Sequence, residues 1–134
     1  MKHLLDVNAL VALLVNEHSL NGRTVSWVRH LVGRKQAHFV TCSITELGFI
    51  RILSQPSTFG RTIADAQMVL HRAKTGSLVT FSFIDDAVSG LALPQWVNKS
   101  GQVTDGHLVE LAKAHGVVLA TLDAGIRGAF LIPT

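Results

Sequence analysis

The sequence predicts an α/β domain with a mostly parallel central sheet sandwiched between helices. Three observations lead there. Short apolar runs alternate along the chain with longer stretches whose apolar residues recur at helical spacing, and strands separated by helices build βαβ units covered on both faces. The run Val117-Val118-Leu119-Ala120-Thr121-Leu122 is apolar and β-branched, as a strand buried in such a sheet should be. Finally, 134 residues without an internal repeat, a low-complexity tract or a linker-like shift in composition make one domain, residues 1–134, with enough chain to bury a core.

The elements follow in order. His3 to Val7 reads as a strand and Ala9 to Val15 as a short helix behind it. Arg23 to Lys35 carries Val25, Val28, Leu31 and Val32 on one helical face, with Trp27 at core spacing to Leu31. His38 to Cys42 is a second strand, and Ser43 to Gln55 a helix that Pro56 terminates. Ile63, Ala66, Leu70 and Ala73 mark a further helix closed by Gly76. Thr80 to Ile84 alternates like a strand, and Asp85-Asp86 can begin a short helix towards Leu93-Pro94. From Thr104, the spacing of Leu108, Leu111, Ala112 and His115 marks the clearest helix, ended by Gly116. Val117 to Leu122 and Phe130-Leu131-Ile132 complete the strands.

Composition narrows the function classes. Hydrophobic residues make up 48% and charged residues 16%, far from the composition of a disordered chain. A mean hydropathy of +0.36 without a membrane segment implies that some apolar surface is covered by another chain. Asp6 and Asn8 interrupt the oily N-terminal stretch against a signal-peptide reading, and Ala9 to Val15 is too short to span a bilayer. A cytoplasmic protein is expected. The one cysteine, Cys42, reads as a small buried hydrophobe, and no Cys/His zinc spacing occurs. A formal net charge of +3 is compatible with a polyanionic partner.

The acids carry the chemistry. In open parallel sheets, ligands bind outside the carboxyl ends of the strands. Asp6 lies at the end of the first predicted strand and Asp123 just beyond the strand ending at Leu122. Glu46 and Asp105 fall in the first turns of two helices, so all four would share one sheet edge. Crowded carboxylates repel each other and resist burial unless a cation compensates them. An oxygen-only set points to a hard ion, Mg²⁺ or Mn²⁺, and so to phosphoryl chemistry. Local explanations compete. Ser43-Ile44-Thr45-Glu46 has the form of a capping box, Thr104-Asp105 is a favourable helix start, and Asp85 and Asp86 read as caps. Asp6 and Asp123, with apolar neighbours and no obvious local cap, are the hardest to explain structurally.

These residues give the chain its resemblance to the PIN domain, specifically to the small ribonuclease toxins of VapBC toxin–antitoxin systems. The resemblance covers essentially the whole chain. It rests on Leu4-Leu5-Asp6-Val7-Asn8, on Ser43-Ile44-Thr45-Glu46-Leu47, and on Thr104-Asp105-Gly106-His107-Leu108-Val109-Glu110-Leu111-Ala112 followed by Leu119-Ala120-Thr121-Leu122-Asp123. It implies a metal-dependent endoribonuclease in which Asp6, Glu46, Asp105 and Asp123 hold Mg²⁺ or Mn²⁺ and a metal-activated water cleaves RNA. Asn8 and Thr121 would support the ligands. A homodimer, and inhibition by a cognate VapB-type antitoxin, are implied as well.

Around that centre, Arg51 could reach RNA phosphate or the antitoxin, and His107 could face the cleft. Trp96, in a Pro- and Gly-flanked loop, is the better of the two tryptophans for stacking on a base. Two other classes remain open. One is a non-catalytic PIN-like module that binds RNA or a partner. The other is a phosphoacceptor domain of the receiver type, against which Asp6 stands without an acidic neighbour.

Overall fold

The structure, a computed structural model, describes all 134 residues. Five strands are present: β1 (His3–Leu5), β2 (His38–Thr41), β3 (Thr80–Phe83), β4 (Val118–Thr121) and β5 (Phe130–Leu131). Five α-helices join them: α1 (Val7–Leu14), α2 (Asn21–Gly33), α3 (Ser43–Ser54), α4 (Ile63–Thr75) and α5 (Val103–Ala114). The strands form one sheet in the order β3-β2-β1-β4-β5, with every pairing parallel. The predicted class therefore holds.

Alternation along the strands builds two cores. Leu4, Val40 and Leu119 face one side of the sheet, where Leu108, Val109, Leu111 and Ala112 of α5 cover them. Their neighbours Leu5, Phe39 and Ala120 face the other side and pack against apolar residues of α1 to α4. A single step along β1 thus moves a side chain from one layer to the other, as the two-residue period requires. Trp27 is buried as its spacing predicts, in a group with His3, Phe39 and Phe130.

Two glycines set how closely the layers approach the sheet edge. A Cβ on Gly48 of α3 would stand 2.6 Å from Val7 Cγ2 at the start of α1, and one on Gly106 of α5 would collide with Val97 Cγ2. The absence of a side chain lets α3 pack beside Asp6 and lets Pro94–Val97 lie against the first turn of α5.

Three local expectations are corrected. Asp6 does have a cap to form: its Oδ1 accepts the Ala9 N–H at 2.8 Å, and this bond turns the chain into α1 at Val7, so β1 ends at Leu5. The cap of α3 is Cys42, whose N–H donates to Thr45 Oγ1 at 3.0 Å, so Ser43 and Glu46 form no capping box. No α-helix begins at Asp85-Asp86. Asp86 Oδ1 instead accepts the Val88 N–H in a tight turn, and the chain stays irregular up to the 3₁₀ turn Gly90–Ala92.

Candidate functional site

Strand order decides where the site falls. From β1 the chain steps to β2 and β3 on one side, then crosses to β4 and β5 on the other, so the order reverses between β1 and β4. The crevice at a reversal, beyond the carboxyl ends of the strands, is where such sheets bind ligands. Register pairs Leu5 with Ala120, which brings Asp6 and Thr121 side by side as the strands end. The Asp6 N–H still donates to the Ala120 carbonyl at 3.2 Å. Asp123 follows two residues after Thr121.

A cavity of about 350 Å³ opens at this point. Asp6, Asn8, Asp105, Thr121 and Asp123 line it, together with Arg51 and Ile52 of α3. Three of the four predicted acids are therefore brought together from the cap between β1 and α1, from α5 and from the segment after β4. Asp105 comes from the first turn of α5, whose start carries no side-chain cap, so its carboxylate is free to face the cavity. Asp123 is exposed and anchored locally: its N–H donates to Thr121 Oγ1 at 3.0 Å, and its Oδ1 accepts the Gly125 N–H at 2.8 Å.

The electrostatics are those of acids without a counter-ion. Burial pushes the Asp6 carboxyl above the usual carboxylate range; the Thr121 hydroxyl and the Ala9 N–H pull it back, and the charge of Asp123 adds to the rise. Burial also raises Asp105, followed by the charges of Asp6 and Asp123. None of the three carboxylates has a lysine, arginine or histidine within ion-pair distance. No three acids, histidines or cysteines close around one point as a ready-made cage. The donor set instead fits a hydrated hard cation that takes one or two carboxylates directly and keeps its waters.

Asn8 is oriented by a residue that sequence reasoning missed. His18 Nδ1 accepts the Leu20 N–H at 3.0 Å, so its Nε2 carries the proton and donates to Asn8 Oδ1 at 3.0 Å. The Asn8 carboxamide is thereby turned with its NH₂ group as the remaining donor. His18 lies ten residues after Asn8 and beyond the end of α1 at Leu14, so no run of helical spacing marked the pair.

The other candidates lie elsewhere. Glu46 does not line the cavity: its Oε2 accepts from Thr41 Oγ1 at 2.6 Å and from Lys74 Nζ at 2.5 Å, beside a separate cleft between α3 and α4. The expected convergence of four carboxylates on one cleft is thus corrected to three. His107 is turned onto Asp86, with Nε2 2.5 Å from Oδ2. Trp96 is half-buried and packs against the core beneath α5.

The chain resembles several ribonucleases of Mycobacterium tuberculosis. It is 37% identical to Ribonuclease VapC38 over 125 residues, which cover 92% of this chain and 86% of the relative. It is 35% identical to Ribonuclease VapC44, with 94% and 89% covered. Identity to Ribonuclease VapC29 is 34%, with 100% of this chain and 98% of that protein aligned. The chain belongs to the VapC ribonuclease family. No family model matches it. The alignment with VapC29 takes in the whole of this chain, so the crevice between β1 and β4 lies inside that shared region. No helix of the structure is long and apolar enough to cross a membrane.

Proposed function

We propose that this chain is the toxin of a toxin–antitoxin pair, an endoribonuclease that depends on Mg²⁺ or Mn²⁺. The observation that carries the reading is the group Asp6, Asp105 and Asp123 at the strand-order reversal, two of them held above their ordinary pKa and none paired with a cation. The VapC relatives support RNA as the substrate.

Asp6, Asp105 and Asp123 would hold the ion, which supplies a nucleophile made from water at neutral pH and neutralises charge on the phosphate. The chain's own residues do the rest. Asp6 is fixed by its cap on α1 and has little freedom to leave the site. Thr121 ties Asp123 to the end of β4. Asn8, turned by His18, offers an N–H donor to a phosphate oxygen, and Arg51 at the cavity wall offers a cation to the next phosphate along the strand. Leu108 and Ile126 give the cavity an apolar wall.

The partners follow the same reading: an RNA substrate, a VapB-type antitoxin and a second copy of the chain. Exposed Leu47, Ile63, Leu78 and Leu91 supply apolar surface of the kind that partner chains cover.

Incubation of the purified protein with total RNA and Mg²⁺, followed by sequencing of the new ends, tests the reading. Cleavage should fall by on the order of a hundredfold or more in Asp6→Asn while the circular dichroism spectrum stays unchanged. Full activity in EDTA would sink it.

A further inference from the structure

We propose that Lys74 is a positioning residue that holds Glu46 away from the carboxylate cavity and so sets how much of this acid's charge a bound cation meets. The inference rests on the metal-dependent reading above. Glu46 sits in the first turn of α3, and Arg51, which does line the cavity, follows five residues later. At 3.6 residues per turn the two side chains leave the helix about 140° apart. Glu46 therefore faces α4 as built, and what it meets there decides where its carboxylate rests.

It meets two fixed partners on the same oxygen. Thr41, fully buried at the end of β2, donates from Oγ1 to Oε2 at 2.6 Å, and Lys74 from the last turn of α4 donates to that atom at 2.5 Å. Lys74 is itself held from a second side, its Nζ standing 5.1 Å from the centroid of the Phe83 ring. The ion pair is partly shielded, with side-chain exposures of 29% and 18%, so solvent does not fully screen it. The other carboxylate oxygen, Oε1, makes no hydrogen bond. Of the four acids that the sequence groups together, Glu46 alone carries its own cation.

Removing that cation should release the side chain. With Lys74→Met, Glu46 loses one of its two anchors and becomes an uncompensated carboxylate on α3, the helix whose Arg51 lines the cavity, and a divalent cation bound there would draw it in. Isothermal titration with Mn²⁺ and no RNA should show binding about threefold tighter than the wild type. Lys74→Arg keeps the charge and should match the wild type. Lys74→Met placed in a Glu46→Gln background should bring no tightening, because the group it would release is gone.

This double-mutant comparison separates positioning from a general change in field. Equal tightening with and without Glu46 would overturn the proposal, since the lysine would then act only as a distant charge. An unchanged or weakened affinity in Lys74→Met would overturn it too, provided that Asp6→Asn abolishes binding and thereby upholds the metal site. If the wild type takes up no Mn²⁺, the metal-dependent reading fails and this proposal falls with it.

Discussion

The two ends of β1 each bury a titratable side chain, and they do so for different ends. His3 and Asp6 stand three residues apart, 7% and 5% exposed. Burial drives each towards its neutral form, lowering the imidazole and raising the carboxyl. What differs is the surroundings. The His3 ring meets Trp27 edge-on at 5.1 Å and Phe130 at 5.3 Å, and its Nδ1 has no hydrogen-bond partner. Asp6 faces a cavity that Asp105 and Asp123 share. A neutral imidazole among aromatic rings calls for no cation, even with one ring nitrogen unpaired, whereas a carboxylate among carboxylates gains from one. The same cost of burial serves packing at one end of the strand and ligand binding at the other.

The largest effect expected from this contrast is on metal-linked stability. A ligand that binds only the folded state stabilises it by about 2.7 kcal/mol at a hundred times its dissociation constant. Thermal melts in saturating Mg²⁺ or Mn²⁺ against EDTA should show a rise of that order in the wild type and in His3→Phe. Asp6→Asn should lose most of it. An equal rise in all three proteins would erase the distinction between the two ends.

A smaller effect sharpens the account of Asp6 itself, because this residue is both a cap and an unfavourable charge. In EDTA at neutral pH, Asp6→Asn should melt above the wild type, since asparagine keeps the bond from the Ala9 N–H and removes the buried charge. Asp6→Ala removes the cap as well and should lie about 1 kcal/mol below Asp6→Asn. If Asn and Ala variants melt together, the cap contributes nothing and the turn into α1 has another cause.

The same residues show what the sequence makes legible. Periodicity found every strand and all five α-helices, because the two cores are built from local alternation and helical spacing that each segment carries alone. Asp6, Asp105 and Asp123 were found together because each is placed by the end of an element, and a parallel sheet brings those ends to one edge. Glu46 obeyed the same rule and still faces elsewhere. Its position depends on Lys74, 28 residues further on, and such a pairing leaves no periodic trace. The cap made by Asp6 was missed because the predicted strand ran on to Val7. With the strand's end misplaced by two residues, the carboxylate had no helix to cap.

The last prediction concerns the aromatic end of β1 and works through pH. In the folded protein His3 titrates below its ordinary 6.5, chiefly because of burial. Between the two values the unfolded chain binds more protons than the folded one, so stability rises with pH across that window. The contribution is complete above pH 6.5 and is lost as pH falls through the folded value, with a slope of at most about 1.4 kcal/mol per pH unit for one group. Asp6 has the opposite sign. Its folded pKa lies above 3.8, so its contribution is complete below that pH and declines as pH rises through the folded value. Comparing wild type with His3→Phe cancels this and every other shared group. Urea midpoints measured without metal from pH 7.5 down to about 5.5 should fall more steeply in the wild type. Phenylalanine keeps a ring against Trp27 and Phe130 but has no proton to gain, so its curve should be the flatter. Parallel curves would show that the imidazole takes up its proton without cost, and the two ends of β1 would then differ less than their surroundings imply.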